Sequence, residues 1–155
     1  KVTVSPDAAG LVPGRKYGYR MVLENGRGLT ARSARRSFVY RLGFKLVGGT
    51  PGADRLFGGA ERDDVRGRGG ADLLRAGGGA DVLNGGDGDD RAHAGRGADV
   101  VIGGRGRDRL YGGRGADLVK ARDGRRDRIG CGAGHDRVEA DALDVVTGCE
   151  VVERG

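Results

Sequence analysis

The sequence predicts an all-β fold, most of it a solenoid of parallel strands. Two observations carry this. From Gly48 to Glu139 the chain repeats every nine residues, and a fixed period of this kind marks a stacked-repeat architecture. Within each unit the sixth residue is Asp and the eighth is apolar, in all ten copies. A third observation limits the core: 34 of the 155 residues are Gly, Trp is absent and aromatic residues make up 5%. Such composition alone would fit disorder. A disordered tract, however, has no reason to hold Asp at a constant phase.

The sixth-position residues are Asp54, Asp63, Asp72, Asp81, Asp90, Asp99, Asp108, Asp117, Asp127 and Asp136. The eighth-position residues are Leu56, Val65, Leu74, Leu83, Ala92, Val101, Leu110, Val119, Ile129 and Val138. Positions seven to nine read as a short strand with one side chain inward. Positions one to six read as a turn, since Gly reaches the positive φ values that tight turns need. Two units then close one coil of 18 residues, with a strand on each side and a turn at each end. Pro51 and Arg126 mark the two units that carry an extra residue.

Stacking sets the chemistry. Coils lie about 4.8 Å apart, so each Asp stands over the Asp two units on. Such a column of carboxylates repels itself. A divalent ion removes the repulsion, and calcium suits the spacing, because its Ca–O distances are about 2.3–2.6 Å and it accepts six to eight oxygens in loose geometry. Backbone carbonyls of the Gly turns, among them Gly86, Gly88, Gly104, Gly106, Gly113 and Gly115, can supply further oxygens. Magnesium demands a stricter octahedron and fits worse. On this reading, carboxylates splayed apart or turned into the interior would defeat the metal proposal.

The pattern Gly-Gly-x-Gly-x-Asp-x-apolar-x resembles the haemolysin-type, or RTX, calcium-binding repeats. The resemblance covers about three fifths of the chain. It implies a right-handed parallel β-roll with several Ca2+ ions between successive turns. One metal column would use Asp54, Asp72, Asp90, Asp108 and Asp127, the other Asp63, Asp81, Asp99, Asp117 and Asp136. Some units depart from the pattern, and the weakest sites are expected at the ends. Glu61 replaces a Gly, Arg68 and Arg122 follow the first position, and Ala76, Ala94 and Ala121 replace the first Gly. The best sites are expected between Asp81 and Asp117. Arg is abundant at variable positions and could pair with the same Asp residues, which would make a calcium-independent structural spacer.

Residues 1–40 read as a β segment. Val2-Thr3-Val4 suits a strand, Tyr17, Tyr19, Met21 and Leu23 alternate as a half-buried strand does, and Asn25-Gly26 marks a turn. Leu11-Val12-Pro13-Gly14-Arg15-Lys16-Tyr17-Gly18-Tyr19-Arg20, with Asn25 and Gly28, resembles the C-terminal half of a fibronectin type III domain. That resemblance implies a tyrosine corner at Tyr17. Phe38, Tyr40, Leu42, Phe44 and Leu46 form a second alternating series. It reads as a strand that covers the open edge of the first coil, with residues 41–47 as linker and cap. The roll itself is expected over 48–139.

Residues 140–155 break the period and read as one or two closing strands. They are bracketed by the only cysteines, Cys131 and Cys149. A disulfide, two buried thiols and half of a zinc site all fit the pair, although zinc needs about four ligands and only His93 and His135 remain to help. A disulfide would tie a C-terminal cap, add about 3 kcal/mol by closing the loop and imply an oxidising compartment. The closing piece also resembles the ends of such arrays in exported bacterial proteins.

The net charge is +6, but residues 1–47 hold ten Lys/Arg against two Asp/Glu, whereas the repeats are nearly balanced at 17 against 16. Basic Gly/Arg-rich tracts bind nucleic acid in disordered proteins. Here each Gly-Arg cluster precedes an Asp at fixed distance and stacking aromatics are scarce, so no nucleic-acid partner is expected. No apolar run reaches the about 18 residues of a membrane span. No P-loop and no Gly-x-Ser-x-Gly occurs, and no enzyme is expected. The sequence thus points to a monomeric, secreted or cell-surface calcium-binding module of a larger protein, whose cell-surface or extracellular ligands that larger protein would supply.

Overall fold

The computed structural model describes residues 45–155 in full and, before them, only the backbone of the strands named here. These are β1 (Val2–Thr3), β2 (Lys16–Tyr19), β3 (Val22–Glu24), β4 (Thr30–Arg32), β5 (Arg36–Arg41) and β6 (Phe44–Gly48). The tyrosine-corner reading of Leu11 to Tyr17 lies outside the described residues. β1, β3 and β4 form a small antiparallel sheet.

From β6 onward the chain is a parallel solenoid of about six coils. One sheet stacks β6, β8 (Asp63–Gly69), β10 (Val82–Asp87), β12 (Val100–Arg105), β14 (Leu118–Lys120), β16 (Arg137–Ala140) and β18 (Val151–Arg154). The other stacks β7 (Arg55–Phe57), β9 (Leu73–Gly78), β11 (Arg91–Arg96), β13 (Arg109–Arg114), β15 (Arg128–Ala133) and β17 (Val145–Thr147). Register advances by one coil of 18 residues, as in Val82↔Val100 and Arg91↔Arg109.

Four features differ from the sequence reading. The alternating series Phe38–Leu46 is not one strand. β5 and β6 form an antiparallel hairpin, and β6 alone joins the first coil, pairing parallel to β8 through Val47↔Val65. Full-length strands in the repeats run six residues rather than three, from the seventh position through the third of the next unit, as in Val100–Arg105. Backbone pairing thus continues through the first two glycines and breaks only at the corner. The apparent break at 140 is also softer than the spacing suggests. β17 and β18 complete one more coil in register, with Ile129↔Val146 and Val138↔Val152, on shortened turns. Finally, the missing first glycine at Ala76, Ala94 and Ala121 is no backbone defect. First-position glycines such as Gly85 and Gly103 have no left-handed φ, and the three Ala methyls sit in the core.

The core is a thin ladder of eighth-position side chains. Leu56, Leu74, Ala92, Leu110 and Ile129 come from one sheet, and Val65, Leu83, Val101, Val119 and Val138 from the other, all fully or almost fully buried. Cys131 is buried among them and bonded to Cys149 across a Cα–Cα distance of 5.1 Å. The disulfide therefore ties the shortened last turn to the coil before it.

The regular corners, from Arg68/Gly70 on and apart from the turn at Arg122, take positive φ at the second and fourth positions, as at Gly95 and Gly97 (118° and 132°). Arg68 holds the second position of its unit at φ 87°, the one non-Gly residue there among the described residues. Left-handed backbone costs an L-residue about 1–2 kcal/mol. R68G should therefore stabilise the roll by about 1 kcal/mol, allowing for the greater chain entropy that Gly loses. G97A should do the opposite, by at least about 2 kcal/mol, because left-handed strain is joined by a Cβ that runs into the Gly79 carbonyl. Urea denaturation of both variants in calcium-containing buffer reads the two signs.

Candidate metal centres

Strand alternation decides where the aspartates point. The sixth, eighth and first positions share a face, so the carboxylates turn inward with the core residues. All ten are 0–4% exposed. They do not line the outer rim of the roll but face the interior, the arrangement that the sequence reading set against a metal, and the case for one rests instead on where their second oxygens lie. The Oδ2 atoms lie at the corner, beside the first glycine of their own unit. A Cβ at Gly85 would collide with Asp90 Oδ2, and one at Gly112 would come within 2.5 Å of Asp117 Oδ2. The surroundings are main-chain, and the apolar ladder lies further in.

Both columns exist as the period implies. The amide of each Asp donates to the Oδ1 of the Asp one coil on. Examples are Asp54 to Asp72 at 2.7 Å, Asp63 to Asp81 at 2.7 Å, Asp90 to Asp108 at 2.8 Å and Asp99 to Asp117 at 2.9 Å. One column runs through Asp54, Asp72, Asp90, Asp108 and Asp127, the other through Asp63, Asp81, Asp99, Asp117 and Asp136. Each extends further than the spacing showed. Asp127 N donates to Asp144 Oδ1 at 2.8 Å, and Asp136 N to Glu150 Oε2 at 2.7 Å. Asp144 and Glu150 thus hold sixth positions in two shortened units. The signal was the repeated acid-Val-Val of Asp144-Val145-Val146 and Glu150-Val151-Val152.

The second carboxylate oxygen separates the units. Near the start it is satisfied by protein. Thr50 donates through N and Oγ1 to Asp54 Oδ2, and Gly59 N donates to Asp63 Oδ2. Further on, Oδ2 of Asp81, Asp90, Asp99, Asp108, Asp117, Asp127 and Asp136 is buried and receives no hydrogen bond. An orphaned anionic oxygen is costly, and the acidity of these groups reflects that. Burial, reinforced by neighbouring carboxylates, pushes Asp90 and Asp127 up to about 7 and Asp81 and Asp117 up to about 6; Asp108 is likewise raised to about 6. Burial also raises Asp63 and Asp99.

The ion pairs seen among the described residues, Arg66–Asp64, Lys120–Glu139 and Arg137–Glu153, lie on the outer face of the larger sheet and involve no column aspartate from Asp81 to Asp136, although the charge of Arg62 eases Asp81 slightly.

The donor set is all hard oxygen. Among the described residues no three side chains of His, Cys, Asp or Glu converge. A cation at the corner would therefore meet carboxylate and main-chain carbonyl oxygen, the ligands calcium takes. Carbonyls do approach from adjacent coils: Gly86 and Gly88 lie against Gly104 and Gly106, and Gly95 and Gly97 against Gly113 and Gly115. Only glycine leaves room at these contacts. The orphaned oxygens, the glycine-lined corner and the ligand chemistry all fit calcium. The fit is best where both stacked turns have left-handed second and fourth positions, from Arg68/Gly70 to Gly104/Gly106 on one edge and from Gly77/Gly79 to Gly132/Gly134 on the other. The turn at Arg122 keeps only Gly124 in that region.

The family model of the RTX calcium-binding nonapeptide repeat, four copies long, matches residues 48–83 and again 84–119. No curated protein and no solved structure matches the chain. Residues 48–119 therefore carry RTX calcium-binding repeats, wound into an all-strand parallel solenoid consistent with an RTX β-roll.

Proposed function

We propose that the roll is an extracellular calcium-binding module whose folding is completed by several Ca2+ ions held between successive turns. The observation that carries the reading is the run of buried carboxylate oxygens from Asp81 to Asp136 that no donor reaches. Asp72, Asp90 and Asp108 on one edge, and Asp81, Asp99 and Asp117 on the other, would hold the ions with carbonyls of Gly86, Gly88, Gly104, Gly106, Gly113 and Gly115. Bound calcium supplies the positive charge that the columns lack. Asp54, Asp63 and Asp127, whose turns are irregular or already hydrogen-bonded, would contribute less.

Metal that binds only the folded chain stabilises it by mass action, and small metallo-domains often fold only when loaded. Calcium is plentiful outside cells, so export would drive folding. The Cys131–Cys149 bond suits the same oxidising setting. The role is binding and structural, with no reaction assigned to these residues. Isothermal titration with calcium tests the reading. Saturable binding in or below the 10⁻⁴–10⁻³ M range of extracellular modules is expected, with protons released in proportion to the carboxyls displaced. Absence of binding up to about 10 mM, beyond that range, would exclude the reading and favour a calcium-independent spacer.

A further inference from the structure

The outer face of the larger sheet carries a pattern that reverses about its middle coil. With eighth-position side chains in the core, the seventh and ninth point outward and stack in register from coil to coil. Val100 is the centre of the seventh-position column. One coil to either side stand Val82 and Leu118, two coils away Asp64 and Arg137, and three coils away Leu46 and Val151. The ninth-position column is centred on Ile102. One coil out it has Asn84 and Lys120, and two coils out Arg66 and Glu139. Apolar residues thus lie at equal distances from the centre, and so do opposite charges. Along the strand, Asp64 to Arg66 runs from acid to base, whereas Arg137 to Glu139 runs from base to acid.

A surface of this kind is complementary to itself. A two-fold axis lying in the face, parallel to the strands and over Val100–Ile102, turns a second copy so that its coils run the opposite way. Val82 then meets Leu118, and Leu46 meets Val151. Asp64 meets Arg137 and Arg66 meets Glu139, each pair twice, as an isologous contact requires. Lys120 can donate to the Asn84 amide oxygen. Val100 and Ile102, on the axis, each meet their own counterpart. A two-fold axis along the roll matches less well, because it sets Val82 on Asn84, Leu118 on Lys120 and Val151 on Glu153. The smaller sheet has no such match. Its strands hold no Asp or Glu, and Arg91, Arg109 and Arg128 follow one another in register, so two copies would oppose arginine with arginine.

We infer that the larger sheet's outer face is an interface with a second copy of this chain, the two rolls lying face to face and antiparallel. The charges are placed to reach across. The Arg66 and Arg137 side chains are 60% and 54% exposed, and each already holds an acid of its own chain, Asp64 at 2.7 Å and Glu153 at 2.6 Å. The contact extends these pairs into networks, which count for more than isolated surface pairs. Between them, Val82, Val100, Ile102 and Leu118 are half-buried in the single chain and have apolar surface left to lose. Six steps of about 4.8 Å and two outward columns about 7 Å apart give a face of roughly 400 Å² per copy, about half of the 800 Å² in a standard interface. The dimer is therefore weak and exchanges with monomer. No residue of the metal columns takes part, so the contact stands apart from the calcium reading.

Sedimentation velocity of the full chain in calcium-containing buffer is the test, from about 1 μM to about 1 mM, the range suited to a contact of this size. A monomer–dimer equilibrium is expected. I102K sets two like charges against each other on the axis and should raise the dissociation constant at least about tenfold. R66E, which would face Glu139 across the contact, should weaken association in the same direction, as should E139R. The double variant R66E/E139R should return the constant to within about threefold of the parent, since the two sites are coupled. Y111K, on the exposed face of the smaller sheet, should change it by under about threefold. Circular dichroism checks that each variant folds, and E139R replaces R66E if that variant does not. A monomer throughout the range would overturn the inference. So would a dimer that folded I102K leaves intact, one that Y111K disrupts, or one that folded R66E/E139R fails to recover.

Discussion

D108N should make the metal-free roll more stable at pH 7 and its calcium-loaded form less stable than the parent. Asp108 stands mid-column: Asp90 N donates to its Oδ1 at 2.8 Å, and its own amide reaches Asp127 Oδ1 at 2.8 Å. Asn keeps the Oδ1 acceptor and with it the backbone ladder. It removes the buried charge whose Oδ2 has no donor. Holding a carboxyl at about 6 rather than the ordinary 3.8 costs the ionised folded state about 3 kcal/mol at neutral pH. A gain of about 1–3 kcal/mol is therefore expected in chelator, since the amide still has to find its own partners. With calcium the sign reverses. Affinity in such sites follows the number of charged ligands, so the calcium-induced rise in melting temperature should shrink and the midpoint should move to at least about tenfold more calcium. Thermal melts in chelator and in calcium decide the matter. Destabilisation in chelator would show that the carboxylate is satisfied in some other way.

A second large effect concerns pH. In the metal-free roll Asp90 and Asp127 keep their protons to about pH 7, and Asp81, Asp108 and Asp117 to about pH 6, chiefly because they are buried. The unfolded chain releases the same protons near 3.8. Between those values the folded state binds more protons, so unfolding free energy falls as pH rises. The contribution is complete below about pH 4 and is lost as pH rises through about 6 to 7. In chelator the melting temperature should drop by at least about 10 °C from pH 5 to pH 8, several kcal/mol at about 2–4 °C each. Calcium competes with these protons, so its affinity should rise across the same interval. A metal-free roll that gains stability toward pH 8 would contradict the placement of the charges.

The repeats were legible because everything that defines them is local. Asp at every sixth position and an apolar residue at every eighth fix the coil length, and the coil length fixes which aspartates stack. The direction of the carboxylates could have been read too, because positions six and eight have the same parity in an extended chain. Treating the Asp as part of a turn hid that. Asp144 and Glu150 escaped because their turns are shorter, leaving steps of 17 and 14 residues where the regular interval is 18. Strand pairing tolerates a trimmed corner, but a search for a fixed period does not. The β5–β6 hairpin escaped for a different reason: its alternation of large apolar residues runs on through the turn, and nothing in Arg41-Leu42-Gly43-Phe44 besides one Gly marks a reversal. The smaller sheet's charge became visible only once odd and even units were assigned to separate sheets.

Circular dichroism of the full chain in chelator, on adding calcium and on adding chelator again tests the central claim most directly. Calcium should produce a reversible gain in β-sheet signal together with a higher melting temperature, at pH 7.5 where the columns carry most charge. An identical spectrum and melting temperature with and without calcium would mean that the stacked carboxylates are not what the ion stabilises.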